Sequence, residues 1–181
     1  MDVHPHPELV RYTRRQFFNR SILSLGGLGA AAFGGSVLAF LWPRLGGAFG
    51  SKIAAGNLDT LLATVRDSRQ PVYVPAGRFY VVERDGRVDA LYQKCVHLGC
   101  RVPFCVSSQW FECPCHNSMY NRAGEWKSGP APRGLDRFPV SIDDAGVVVV
   151  DTGRLLGGPP QGTDTTGQEA EGPHCVRLVA H

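Results

Sequence analysis

The 181-residue chain has little net charge: 19 Lys and Arg against 16 Asp and Glu leave +3. No basic stripe alternates with aromatics, so nothing points to a nucleic-acid partner. The chain has no C-x-x-C pair, and no two histidines are separated by three to five residues. Structural zinc sites usually present their thiolates and imidazoles at those spacings. Nor is there a single charge between Ser21 and Trp42. An ordinary soluble surface is excluded there, and a run that long can cross a ~30 Å hydrocarbon core as a helix.

What is present is a pair of short Cys/His runs, Cys95-Val96-His97-Leu98-Gly99-Cys100 and Cys113-Pro114-Cys115-His116-Asn117-Ser118. Each offers one Cys and one His at close spacing, C-x-H and then C-x-x-H, with a further Cys beside them. Two thiolates and two imidazoles fill four metal positions. Such mixed ligation has two common solutions: one zinc ion, or a 2Fe-2S cluster in which two His replace two Cys on one iron. One Cys and one His from each loop suits the two-iron cluster, with the Cys on an inner iron and the His on an outer one. Cys100 and Cys115 then sit at matching places in the two loops and could bridge them.

The pair C-x-H-L-G-C and C-P-C-H-x-S resembles the Rieske iron–sulfur proteins, from about Gly77 to Val150. Within that family it resembles the Rieske subunits of cytochrome bc- and bf-type complexes. The resemblance implies a mainly β fold: an antiparallel Rieske-type β domain with a cluster-binding subdomain. It implies one 2Fe-2S cluster per chain, held by Cys95 and Cys113 on the buried iron and by His97 and His116 on the outer one. It implies a disulfide between Cys100 and Cys115. Ser118 and Tyr120 match the Ser and Tyr that donate hydrogen bonds to cluster sulfurs, which raises the reduction potential. Leu98 would shield the cluster, and Gly129-Pro130-Ala131-Pro132 would cover it from a third side. Asn117 departs from the pattern, since the family usually has Gly there; Asn tolerates left-handed backbone better than most residues.

The implied function is one-electron, one-proton oxidation of quinol, with His97 or His116 taking the quinol hydrogen bond. Its partners would be quinol, a cytochrome b-type subunit and a c-type cytochrome, in a hetero-oligomeric membrane complex. Other readings are the Rieske small subunit of a periplasmic oxidase such as arsenite oxidase, an oxygenase-type electron carrier, and a zinc-stabilised module without redox chemistry.

The rest of the chain divides by composition. Residues 1–20 are a cytoplasmic tail in which Thr13-Arg14-Arg15-Gln16-Phe17-Phe18 is a twin-arginine pattern, the mark of export in the folded state. His4 and His6 lie in this tail and receive no role. Residues 21–42 are an uncleaved signal anchor, because the apolar run exceeds a cleavable core and the only loose cleavage site is near Ala54-Ala55. Arg11, Arg14, Arg15 and Arg20 before it, against Arg44 and Lys52 after it, put the N-terminus in the cytoplasm and the cluster domain on the periplasmic or outer face. Residues 43–56, with Gly46, Gly47 and Gly50, are a flexible hinge, which in quinol-oxidising relatives lets the head swing between redox partners.

Residues 57–151 form the cluster domain. A short helix runs from Asn57 to Asp67, with Asn57 as its cap. Strands follow at Val72–Val74, Phe79–Glu83 and Val88–Tyr92, turning at Asp85-Gly86. A closing hairpin pairs Phe138–Ile142 with Val147–Asp151. Residues 152–181 are an irregular tail, disordered or wrapped on the surface. In it His174 and His181 are surface residues, and Cys175 either pairs with Cys105 in a second disulfide or stays a free thiol.

Overall fold

The computed structural model describes residues 12–42 and 49–176. The chain divides into two compact units, residues 1–44 and 45–181.

In the first unit a single helix, α1 (Arg14–Leu41), starts where Thr13 closes a reciprocal cap. The Thr13 hydroxyl accepts from Gln16 N–H at 3.3 Å, and Gln16 Oε1 accepts from Thr13 N–H at 3.0 Å. The helix therefore begins ahead of the apolar stretch 21–42, and both arginines of the pair lie in its first turn. None of its side chains is buried, and with an 18-residue stretch of mean hydropathy 1.7 it is long and apolar enough to cross a membrane.

The second unit opens with strand β1 (Lys52–Asn57) and helix α2 (Leu58–Ser68). The hinge expected over 43–56 is thereby corrected at its far end. Residues 43–48 lie outside the described residues, but Lys52–Asn57 is an ordered strand. It pairs antiparallel with β11 (Val147–Asp151) from Lys52↔Asp151 to Asn57↔Val147, with a bulge between Ala54 and Gly56. Ile53 is buried, and that apolar contact outweighs the small-residue composition that suggested a spacer. Asn57 caps α2 as expected, its side chain accepting from Asp59 N–H at 3.0 Å and Thr60 N–H at 3.4 Å.

The remaining strands are β2 (Val72–Val74), β3 (Phe79–Arg84), β4 (Arg87–Tyr92), β5 (Phe104–Cys105), β6 (Trp110–Glu112), β7 (Met119–Tyr120), β8 (Trp126–Ser128), β9 (Arg137–Phe138) and β10 (Val140–Ile142). They make three antiparallel sheets, ordered β1-β11-β10, β2-β3-β4-β9 and β5-β6-β7-β8. Asp85 and Gly86 both have positive φ, 51° and 77°, and turn β3 tightly into β4 at Arg84↔Arg87.

Strand β3 joins two cores because successive side chains point to opposite faces. Phe79 and Val81 pack with Ile53, Leu61, Phe138 and Val150 in one; Tyr80 and Val82 pack with Leu91, Phe111, Cys95, Cys113 and Tyr120 in the other. The second core is the floor of the cysteine loops.

The expected strand Phe138–Ile142 is split at Pro139, which has no N–H to give a ladder. Phe138 pairs with Ala90 in the second sheet, and Val140 pairs with Val150 in the first. From Thr152 to Val176 the tail has no helix or strand, yet it is wrapped on the surface. Lys127 pairs with Asp164 (3.0 Å) and Glu169 (3.1 Å), Arg69 with Glu171 (2.6 Å), and buried Glu125 binds Thr165.

Candidate metal centre

The two cysteine loops are built on one backbone pattern. Cys95 N–H donates to Cys100 O (2.7 Å), and Gly99 N–H donates to Cys95 O (2.9 Å). Cys113 N–H donates to Ser118 O (2.9 Å), and Asn117 N–H donates to Cys113 O (3.1 Å). The residue four places after each cysteine turns left-handed: Gly99 with φ 86° and Asn117 with φ 58°. Asn117 thus occupies the same backbone state that glycine occupies in the other loop, a state a short polar side chain can reach.

A disulfide joins Cys100 to Cys115, with a Cα–Cα distance of 6.6 Å. The matching places expected for this pair are corrected by the shared pattern. Cys100 stands five residues after Cys95, whereas Cys115 stands two after Cys113. The bridge links the end of one loop to the middle of the other.

Cys95 and Cys113 are the free cysteines among the described residues, and they are 3% and 1% exposed. Burial pushes the Cys113 thiol up, and the neighbouring Cys95 side chain adds to this, against hydrogen bonds from the backbone of Cys115 and His116. Two such sulfurs side by side are costly to ionise unless a cationic centre compensates them. Above them stand two imidazoles in edge-to-face contact, their rings 4.9 Å apart at 88°. His116 is exposed and His97 half-buried. The donor set is therefore graded, sulfur inside and nitrogen outside, which fits a two-iron cluster with His on one iron. Leu98 projects beside the imidazoles at 71% exposure.

Tyr120 and Ser118 are wholly buried beneath the loops. The Tyr120 hydroxyl lies 3.2 Å from the Cys95 sulfur. Burial first, and then that sulfur, push the phenol above its ordinary range, so it remains a donor. The Ser118 hydroxyl accepts from Ala131 N–H at 3.1 Å, which leaves its own proton to donate elsewhere. The Gly129–Pro132 segment lies against the second loop: a Cβ on Gly129 would meet Asn117 O and Ser118 Cα at 2.5 Å.

Two features were not read from the sequence, the buried Glu112 and the place of His174. Glu112, next to Cys113, is a fully buried carboxylate. Its Oε1 accepts from Ser108 (2.6 Å) and lies 2.7 Å from His174 Nδ1, while Oε2 accepts from the N–H groups of Cys175 (2.8 Å) and Val176 (3.0 Å). His174, expected on the surface, is half-buried there with its ring 5.5 Å from that of Trp110. Of the two outcomes left open for Cys175, the structure shows the second disulfide, with Cys105. A charged residue inside the apolar run Trp110-Phe111-Glu112 was the available signal, since such a charge needs partners when buried. His181, His4 and His6 lie outside the described residues.

An antiparallel β head with two cysteine–histidine loops over a buried tyrosine and serine defines an iron–sulfur electron carrier. The Rieske [2Fe-2S] domain matches residues 59–139. The cytochrome b6-f complex iron-sulfur subunit of Microcystis aeruginosa is 34% identical over 154 residues, 77% of this chain and 84% of that protein. Subunit 1 of the Cyanophora paradoxa cyanelle is 32% identical over 152 residues, 76% of this chain and 63% of that protein. The chain spans less of the length of the Cyanophora relatives, 63% and 62%, than of the Microcystis protein. Among solved structures, the plasma membrane Rieske protein PetC3 from Synechocystis PCC 6803 is 25% identical at a TM-score of 0.42, covering 54% of this chain and 97% of that one. The chain belongs to the Rieske iron–sulfur family, whose cofactor is a 2Fe-2S cluster.

Proposed function

We propose that this chain is the membrane-anchored Rieske subunit of a quinol-oxidising cytochrome bc-type complex. The observation that carries the reading is the exposure gradient at the tip. His97 and His116 reach solvent beside exposed Leu98, while Cys95 and Cys113 are sealed beneath. Cys95, Cys113, His97 and His116 would hold the cluster, which when bound supplies a one-electron acceptor near its imidazoles. Each imidazole would give one nitrogen to the cluster and keep the other for a substrate. That nitrogen accepts the hydrogen bond of a quinol hydroxyl and then its proton. Histidine titrates near neutrality and suits the role. Exposed Leu98 gives the quinol-side subunit an apolar contact, and the disulfide Cys100–Cys115 keeps the two loops together.

Helix α1 anchors the head, and the arginine excess before it favours the head on the outer face. The electron then passes to a c-type cytochrome. The test is purification of the full chain from its source membranes by an affinity tag. A bc-type complex brings b- and c-type haem and reduces its cytochrome c on addition of quinol. Co-purification of a molybdenum-containing subunit without b-type haem overturns the reading in favour of a periplasmic oxidase.

A further inference from the structure

The fold sets a row of exposed cations at the foot of the first cysteine loop. The backbone lays three segments side by side. Gln93 N–H donates to Arg78 O at 3.0 Å, Val102 N–H donates to Gln93 O at 2.8 Å, and Cys95 N–H donates to Cys100 O at 2.7 Å. Between the last two bonds Lys94 and Arg101 oppose each other as an antiparallel bridge. This is the non-hydrogen-bonded register, in which opposed side chains stand closest. Like charges directly opposite on a β pair are destabilising.

Arg78, Lys94 and Arg101 are all exposed, and with Tyr92, Gln93 and Gly99 they line one open groove of about 220 Å³. Among the described residues none of the three has a carboxylate partner, whereas Arg84, Arg122, Lys127, Arg133 and Arg137 elsewhere on the head are each paired with one. Neutral groups position them instead. The Arg78 guanidinium lies 5.2 Å from the centre of the Phe49 ring, and that of Arg101 lies 4.7 Å from the centre of Tyr73. Arg101 also interacts with the Tyr80 hydroxyl. The Lys94 stem runs against Gly99, where a Cβ would meet its Cε at 2.7 Å. Aromatic faces fix a cation in place without cancelling its charge.

We propose that this row docks a carboxylate-bearing face of the protein that exchanges electrons with the metal centre. The inference rests on the electron-transfer reading above. The groove is open, and its cations come from three chain segments, so it suits several separate carboxylates better than one enclosed anion. Lys94 directly precedes Cys95 and Arg101 directly follows Cys100. Both legs of the first loop therefore rise from the row, and a partner seated on it lies beside the loop that carries His97. Complementary charge of this kind raises association rates and is screened by salt.

The test uses the full chain in detergent micelles and two c-type cytochromes of matched potential, one with an acidic surface and one with a basic surface. Binding is read by biolayer interferometry and electron transfer by stopped flow, across a series of ionic strengths. The expected result is binding of the acidic cytochrome about tenfold tighter at low salt, with the preference fading as salt rises. Arg78→Glu and Arg101→Glu each abolish most of the preference. Arg87→Glu, which changes the net charge equally at the β3–β4 hairpin, keeps it. Arg78→Glu is the decisive variant, since Arg101 also supports Tyr80. Equal binding of the two cytochromes, or equal losses in Arg78→Glu and Arg87→Glu, overturns the docking row. Binding does not need a loaded cluster. Absence of an iron–sulfur EPR signal with the preference intact therefore counts against the metal-centre reading and not against the row.

Discussion

The hydroxyl of Tyr120 lies 3.2 Å from the sulfur of Cys95, and both groups are sealed from solvent. A hydrogen bond to a ligand sulfur favours the more negative, reduced state of a cluster. Tyr120→Phe removes that bond while keeping the ring in its core. A differential of about 1–2 kcal/mol corresponds to roughly 40–90 mV for a one-electron couple. The expected outcome is a potential lower by that order with the EPR signal retained. An unchanged potential would mean that the hydroxyl does not act on the cluster.

The disulfide Cys100–Cys115 spans a sequence separation of 15 and is the covalent tie between the loops. Closing a loop of that size is worth about 3 kcal/mol in the chain-entropy model. The double variant Cys100→Ser/Cys115→Ser is expected to retain the β head by circular dichroism and to lose most of its bound iron during purification. Full iron content would show that the loops hold their geometry unaided.

Glu112 supplies a pH dependence. Burial pushes its carboxyl up, but hydrogen bonds from Ser108, the Val176 N–H, His174 and the Cys175 N–H outweigh this and hold it below the usual carboxylate range. A folded-state value below the unfolded one contributes stability that is present above the unfolded value. It is lost as pH falls through the folded value. Glu112→Gln places an amide NH2 among hydrogen-bond donors. It should cost about 1–3 kcal/mol at neutral pH and flatten the acid limb of the stability profile in urea melts. Parallel profiles for the two proteins would remove Glu112 as a source of that limb.

Strand β1 makes a prediction about where the head begins. A fragment starting at Asn57 keeps only the Asn57↔Val147 pair of the ladder to β11 and lacks the buried Ile53. Burial of that one side chain is worth about 1.5–3 kcal/mol. A fragment starting at Phe49 should melt several degrees higher than one starting at Asn57. Equal melting temperatures would make β1 dispensable.

The legible parts of this molecule were local ones. The ligand loops, the Asn57 cap and the Asp85-Gly86 turn each depend on residues within a few positions of one another. The illegible parts depend on distant partners. Lys52–Asn57 reads as a Gly/Ala spacer until β11 is beside it. Phe138–Ile142 reads as one strand until Pro139 hands its two ends to different sheets. His174 reads as a surface residue until buried Glu112 faces it across a separation of 62 residues. The cation row has the same origin, because Arg78 and Arg101 meet only through the strand that precedes Cys95.

The most direct measurement is a potentiometric titration of the full chain in detergent, followed by EPR at several pH values. The expected result is a Rieske-type signal with a midpoint near the upper end of the roughly −150 to +300 mV range, falling as pH rises through the histidine ionisations. A midpoint near the lower end with no pH dependence around neutrality would contradict quinol oxidation at His97 and His116. A colourless protein carrying zinc and no labile sulfide would contradict the metal centre itself.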